Sequence, residues 1–122
     1  MVANGRLTAS VWMIPLLFLS AMNVQAAASD LKQGKAVYEQ FCASCHGDTG
    51  KGDGPAAGAL TPKPKALSDK AYLSTKNDDQ LFRVVKEGGV AVGLSPMMPP
   101  WGTSLTEDQI RNVIAYIRSL AK

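Results

Sequence analysis

Both cysteines and the only histidine of this 122-residue chain fall within five consecutive positions, Cys42-Ala43-Ser44-Cys45-His46. C-x-x-C-H is the attachment signature for c-type haem. Two cysteines at this spacing, at the end of a helix, can each reach one vinyl group of the same porphyrin edge and form two thioethers. The adjacent His46 then falls under the ring, where an imidazole nitrogen can bind the iron. Three other readings use the same residues. A thioredoxin-like dithiol wants a βαβ context and a cysteine at a helix N-terminus, whereas these cysteines end a predicted helix with no strand nearby. A structural zinc site needs a fourth ligand, which only a carboxylate could supply here. The plainest alternative is a disulfide beside a solvent-facing histidine.

The redox compartment bears on that choice. Arg6 supplies a short basic start, and Val11 to Met22 (VWMIPLLFLSAM) is an apolar run of signal-peptide length. Small residues at Val24-Gln25-Ala26 and Ala26-Ala27-Ala28 suit signal peptidase, so residues 1–26 are expected to be removed, with the boundary between 26 and 28. The run falls short of the ~20 apolar residues of a spanning helix, and Asn23 and Gln25 close it. No cysteine stands at the cleavage region for lipid attachment. The expectation is a cleaved signal, a domain over residues 29–122, a periplasmic location and no stable membrane insertion. Thiols exported to an oxidising compartment do not stay free, and haem attachment accounts for both.

The domain reads as helices joined by long loops. Ser29 or Asp30 caps a first helix from Leu31 to Cys42, with Leu31, Gly34, Tyr38, Phe41 and Cys42 on one side. Gly47 to Pro64 carries five Gly and three Pro, which excludes regular structure through most of it. Ser68 to Leu73 suits a short helical turn. Asn77-Asp78-Asp79-Gln80 forms a capping box before Leu81, Phe82, Val84 and Val85, and Gly88-Gly89 stops that helix after Glu87. Val90 to Gly102 is an ordered loop rich in Gly and Pro. Thr106 and Gln109 form the capping box of the last helix, whose core stripe is Ile110, Val113, Ile114, Ile117, Leu120 and Ala121. No stretch alternates long enough for a strand, so the fold class is all-α. With six aromatic residues beyond position 28, the core is thin, and a large apolar cofactor would complete it.

Charge narrows the partners. There are 13 Lys+Arg against 10 Asp+Glu and no run of five like charges, which argues against nucleic-acid binding. Loss of Arg6 leaves the domain about +2, a weak field. Lys51, Lys63, Lys65, Lys70, Lys76 and Lys86 lie between the two candidate ligand regions and suit either a cofactor rim or an ordinary solvated surface. The Asp48–Gly54 run lacks the alternating acids and terminal Glu of a calcium loop.

On these residues the sequence resembles the monohaem class I c-type cytochromes of bacteria, over essentially the whole of the domain. Gly34 and Tyr38 match that family's Gly and aromatic positions in the N-terminal helix, and Tyr116 matches the aromatic position of its C-terminal helix. Gly54-Pro55 matches a Gly-Pro whose carbonyl accepts a hydrogen bond from the ligand histidine. Pro55 also suits simple turn-making. Met97-Met98-Pro99-Pro100-Trp101 matches the loop that supplies a methionine as sixth iron ligand. Met98 is the choice, because the following prolines hold its backbone extended and stiffen the loop, and Met97 lacks a following Pro. Trp101 either donates its indole N–H to a haem propionate or packs against the ring.

The resemblance implies a small cytochrome c-like fold, three or more helices wrapped around one covalent haem c, held by Cys42 and Cys45 and ligated by His46 and Met98. A His/Met iron has no open position for substrate, and Met raises the potential relative to a second His. The function implied is one-electron transfer between redox protein donors and acceptors by a monomer that is not an enzyme. The alternatives are a haem subunit of a larger oxidoreductase, and a small peroxidase or ligand sensor with a labile sixth ligand.

Overall fold

The computed structural model describes Met1 and residues 29–122. The expected signal segment and its cleavage site lie outside the described residues. Among them the structure is helical with no strand: α1 (Leu31–Phe41), α2 (Ala43–His46), α3 (Lys70–Ser74), α4 (Asp78–Glu87) and α5 (Glu107–Leu120), with single 3-10 turns at Ala57–Ala59 and Val90–Val92.

Local chemistry sets most of the boundaries. Asp30 caps α1 by accepting from the Lys32 and Gln33 amides. The Asn77/Gln80 and Thr106/Gln109 pairs close reciprocal capping boxes at α4 and α5, each satisfying two otherwise orphan donors. Gly88 ends α4 at φ +82°, a conformation that side chains resist. The chain kinks at Cys42, so the expected first helix becomes α1 and the single turn α2.

The core forms where α1 crosses α5, and a side chain at Gly34 is excluded there. A Cβ at that position would overlap the backbone carbonyl of Asn112. Beside the crossing, Tyr38 lies fully buried against Tyr116, ring centroids 5.3 Å apart. Ile110, Val113, Ile114 and Ile117 of the expected stripe are buried under α1 and α4, while Leu120 and Ala121 are half-buried at its end. Leu73, Leu81 and Val85 complete the cluster from α3 and α4. Each such side chain stabilises by about 1.5–3 kcal/mol relative to exposure.

The Gly-rich loop after α2 has a definite job. The last carbonyls of a helix lack intrahelical partners, and here the loop supplies them. The amides of Gly52, Gly54 and Ala56 donate to the carbonyls of His46, Cys45 and Ser44 at 2.7, 3.2 and 2.9 Å. α2 is thereby held rigidly although it is one turn long. The 3-10 turn at Ala57–Ala59 lies inside a stretch the sequence marks as irregular.

Candidate functional site

A cavity of about 1020 Å³ opens beside α2, far larger than packing defects leave in a close-packed interior. Its wall brings together Cys42, Cys45, His46, Met97, Met98 and Trp101, residues spread over 60 positions of sequence. The remaining lining is mostly apolar, with Phe41, Leu60, Leu67, Leu81, Val84 and Val85 prominent.

Cys42 is 7% exposed and Cys45 half-buried, and the two thiols are not joined to each other. Burial, and then repulsion from the neighbouring Cys45, pushes the Cys42 thiol up to about 12. His46 is half-buried, and burial holds its imidazole below the ordinary histidine range, an effect partly offset by its backbone hydrogen bond. That bond runs from Nδ1 to the carbonyl oxygen of Lys65 at 2.9 Å. A carbonyl only accepts, so Nδ1 carries the proton and the Nε2 lone pair is left for a metal.

The acceptor corrects the expectation for Pro55. Pro55 is exposed and does not line the cavity. The Gly54-Pro55 turn is committed to closing over α2: Gly54 and Ala56 donate to Cys45 and Ser44, and a Cβ on Gly54 would overlap the Ser44 carbonyl. Lys65 takes the role instead. Its signal in the sequence is the Pro62-Lys63-Pro64 run, which lacks two amide donors and disfavours helix, leaving an irregular segment whose carbonyls are free to accept.

The Met98 backbone is fixed from both sides. Its amide donates to Ser95 O at 3.2 Å and its carbonyl accepts from Gly89 N at 2.9 Å. Met98 is half-buried against the core, whereas the Met97 side chain is 51% exposed. Trp101 is anchored by its amide to Val85 O at 2.9 Å, and its ring meets Phe41 edge-on at 5.2 Å.

Of the six lysines singled out, Lys63, Lys65 and Lys76 line the cavity, joined by Arg83, and no carboxylate does. Lys65 and Lys76 place their ammonium groups 5.6 and 5.7 Å from the Tyr72 ring, another cavity residue not anticipated. Lys51, Lys70 and Lys86 lie elsewhere, Lys86 paired with Glu107 at 2.7 Å.

The donor set fits a haem: two thiols and an imidazole with Nε2 available on one helix turn, thioethers on a braced loop, apolar walls, and basic side chains suited to two carboxylates. The family described as cytochrome c oxidase, cbb3-type, subunit III matches residues 29–117. The chain belongs to the cytochrome c family. Cytochrome c-554(547) of Halothiobacillus neapolitanus is 32% identical over 97 residues, 76% of this chain and 99% of that protein. The cbb3-type cytochrome c oxidase subunit CcoP of Azospirillum sp. (strain B510) is 31% identical over 104 residues, 84% of this chain. This cytochrome domain spans only 33% of the length of that relative. Among solved structures, cytochrome CL of Methylophaga aminisulfidivorans MPT is 29% identical with a TM-score of 0.56, over 75% of this chain and 53% of that one. The all-α cytochrome c fold, and haem c as the family's cofactor, follow from that membership.

Proposed function

We propose that this cytochrome is a periplasmic one-electron carrier holding a single haem c, attached covalently through Cys42 and Cys45 and ligated by His46 and Met98. The observation that carries the reading is the convergence of the Cys42–His46 turn and the braced Met98 loop on one apolar cavity. When bound, the haem supplies a one-electron iron couple. The chain's own part is to bind and orient. His46 is presented in one tautomer by Lys65, Met98 is held on a loop fixed at both its amide and its carbonyl, and the walls of Leu81, Val84 and Val85 exclude water. With His46 and Met98 both taken up as iron ligands, the site would leave no position for substrate and would suit electron exchange with redox proteins rather than substrate turnover. Export rests on the apolar run at Val11–Met22.

Intact mass of the exported protein, expressed with a haem-attachment system, is expected to show one haem that survives denaturation. Visible spectra of both redox states are expected to show six-coordinate His/Met ligation. A bare polypeptide mass overturns covalent attachment. Ready carbon monoxide binding with peroxide turnover at an enzymatic rate overturns the carrier.

A second reading is a haem-bearing subunit of a larger oxidoreductase, favoured by the family's description and by the likeness to one third of CcoP. Native mass in detergent-free extract separates the two. A carrier runs as a single chain, and a subunit runs with its complex.

A further inference from the structure

The last turn of α5 grips the segment that leads from the His46 hydrogen bond to α4. Arg118 donates from its Nη1 to Leu73 O at 2.7 Å, from its Nη2 to Lys76 O at 2.5 Å and from Nε to Asp78 Oδ1 at 3.0 Å. Two of these acceptors are carbonyls at and just beyond the end of α3, and the first of them, that of Leu73, also accepts from the Lys76 amide at 3.1 Å. A planar guanidinium spreads five donors over three nitrogens in a fixed fork and so reaches three separated acceptors at once, whereas an ammonium offers its three donors from a single point. Four residues on, the Lys122 amide donates to Ser68 O at 3.3 Å.

Those contacts bear on the iron ligand through one short rigid element. α3 has its C-terminal end under Arg118 and its N-cap at Asp69, whose side chain accepts from the Tyr72 amide. The Asp69 amide in turn donates to Ala66 O at 3.3 Å, and Leu67 and Leu73 are buried on either side of the cap. Lys65, whose carbonyl accepts from His46, is the residue immediately before this turn. The ammonium groups of Lys65 and Lys76 also share the Tyr72 ring.

We propose that Arg118 is a positioning residue for the iron site: its guanidinium fixes α3, and α3 fixes the Lys65 carbonyl that orients His46. The inference rests on the haem reading above. A hydrogen bond from His46 Nδ1 to a carbonyl makes the imidazole a more basic ligand and favours the oxidised iron. Loosening the Lys65 carbonyl therefore raises the reduction potential. Water entering through a merely loosened wall has the opposite sign, because a wetter site favours the more highly charged oxidised state.

The test uses the haem-loaded protein with Arg118→Met, Arg118→Lys and, as a destabilised control whose hydrogen bonds do not involve Arg118, Asp30→Ala, which removes the α1 N-cap. Two quantities are read: deuterium exchange of the His46 Nδ1–H in the reduced protein by NMR, and the midpoint potential. Exchange is expected to accelerate on the order of tenfold in Arg118→Met, the equivalent of about one net hydrogen bond, with the potential shifted upward. Arg118→Lys, which keeps the charge and folds even if the methionine variant does not, is expected to shift both in the same direction by less. Asp30→Ala leaves both unchanged. Unaltered exchange in both Arg118 variants, or a fall in potential, overturns the proposal. An unmodified protein without His/Met-ligated haem would instead overturn the functional reading itself, an outcome visible before any variant is made.

Discussion

Tyr38 performs two tasks at a single position. Its ring fills the α1–α5 junction, and its hydroxyl donates to the Gly47 carbonyl at 2.7 Å, tying α1 to the residue after His46. Tyr38→Phe is expected to destabilise by about 1 kcal/mol at neutral pH, the net worth of one hydrogen bond, since the Gly47 carbonyl keeps the Gly50 amide at 3.1 Å; urea unfolding measures it. Burial raises the hydroxyl above its ordinary value of 10.0, so the folded state keeps a proton that the unfolded chain releases above about pH 10. Stability contributed by Tyr38 is therefore full below that pH and is lost as pH rises further. The phenylalanine variant is expected to lose less stability than the parent between about pH 9 and 11. The residual fall belongs to Tyr72 and, wherever its thiol is free, to Cys42, both raised by burial. On the Met98 side, Met98→Ala is expected to open the sixth position to added imidazole and lower the potential, while Met97→Ala leaves the oxidised spectrum nearly unchanged. Titration with imidazole followed by visible absorption checks both, and the reverse pattern transfers the role to Met97.

Helices α1 and α5 meet through backbone rather than side chains at Gly34, so this crossing has no room to relax. Gly34→Ala is expected to destabilise by about 3 kcal/mol, at the upper end for overpacking, although alanine is the better helix former. Thermal unfolding of the haem-loaded variant reads this directly. The elements most legible in the sequence were those whose determinants lie within a few residues of one another. The capping boxes of α4 and α5 each use two side chains three positions apart, and the stripe from Ile110 to Ile117 is periodic. C-x-x-C-H was legible for the same reason. Placing the acceptor for His46 was not, because Lys65 is 19 residues away and reaches it through its backbone, which side-chain identity does not mark. Pro55 carried the expected dipeptide but sits on the loop that caps α2. The kink at Cys42 and the 3-10 turn at Ala57–Ala59 were hidden likewise, since both depend on where the loop returns onto α2.

Across the whole molecule, net charge conceals the arrangement that matters. The sequence balance points to weak steering, yet Lys63, Lys65, Lys76 and Arg83 line the cavity with no carboxylate among its walls. A second groove is bordered by Asp30, Asp78, Asp79 and Asp108 with Arg111, so charge is divided across α4. Oxidation of the reduced protein by ferricyanide, an anion, is expected to slow several-fold as ionic strength rises from about 0.01 to 0.5 M, where the screening length contracts from about 30 Å to a few ångströms. Lys63→Gln with Lys76→Gln is expected to flatten that dependence, and stopped-flow kinetics measures it; an unchanged slope would mean these side chains do not steer. The burial of Cys42 has a consequence of another kind, in time. A thiol 7% exposed and pushed up to about 12 is a poor nucleophile once the domain has closed. Cys42 is buried in one cluster with Ile110, Val113, Ile114 and Ile117 of α5, which lies more than 60 residues later in the chain. During synthesis, Cys42 is therefore present well before the whole of that cluster exists. On the proposed covalent attachment, thioether formation at this position would belong to that interval, and a chain that closed first would seal off its own attachment site.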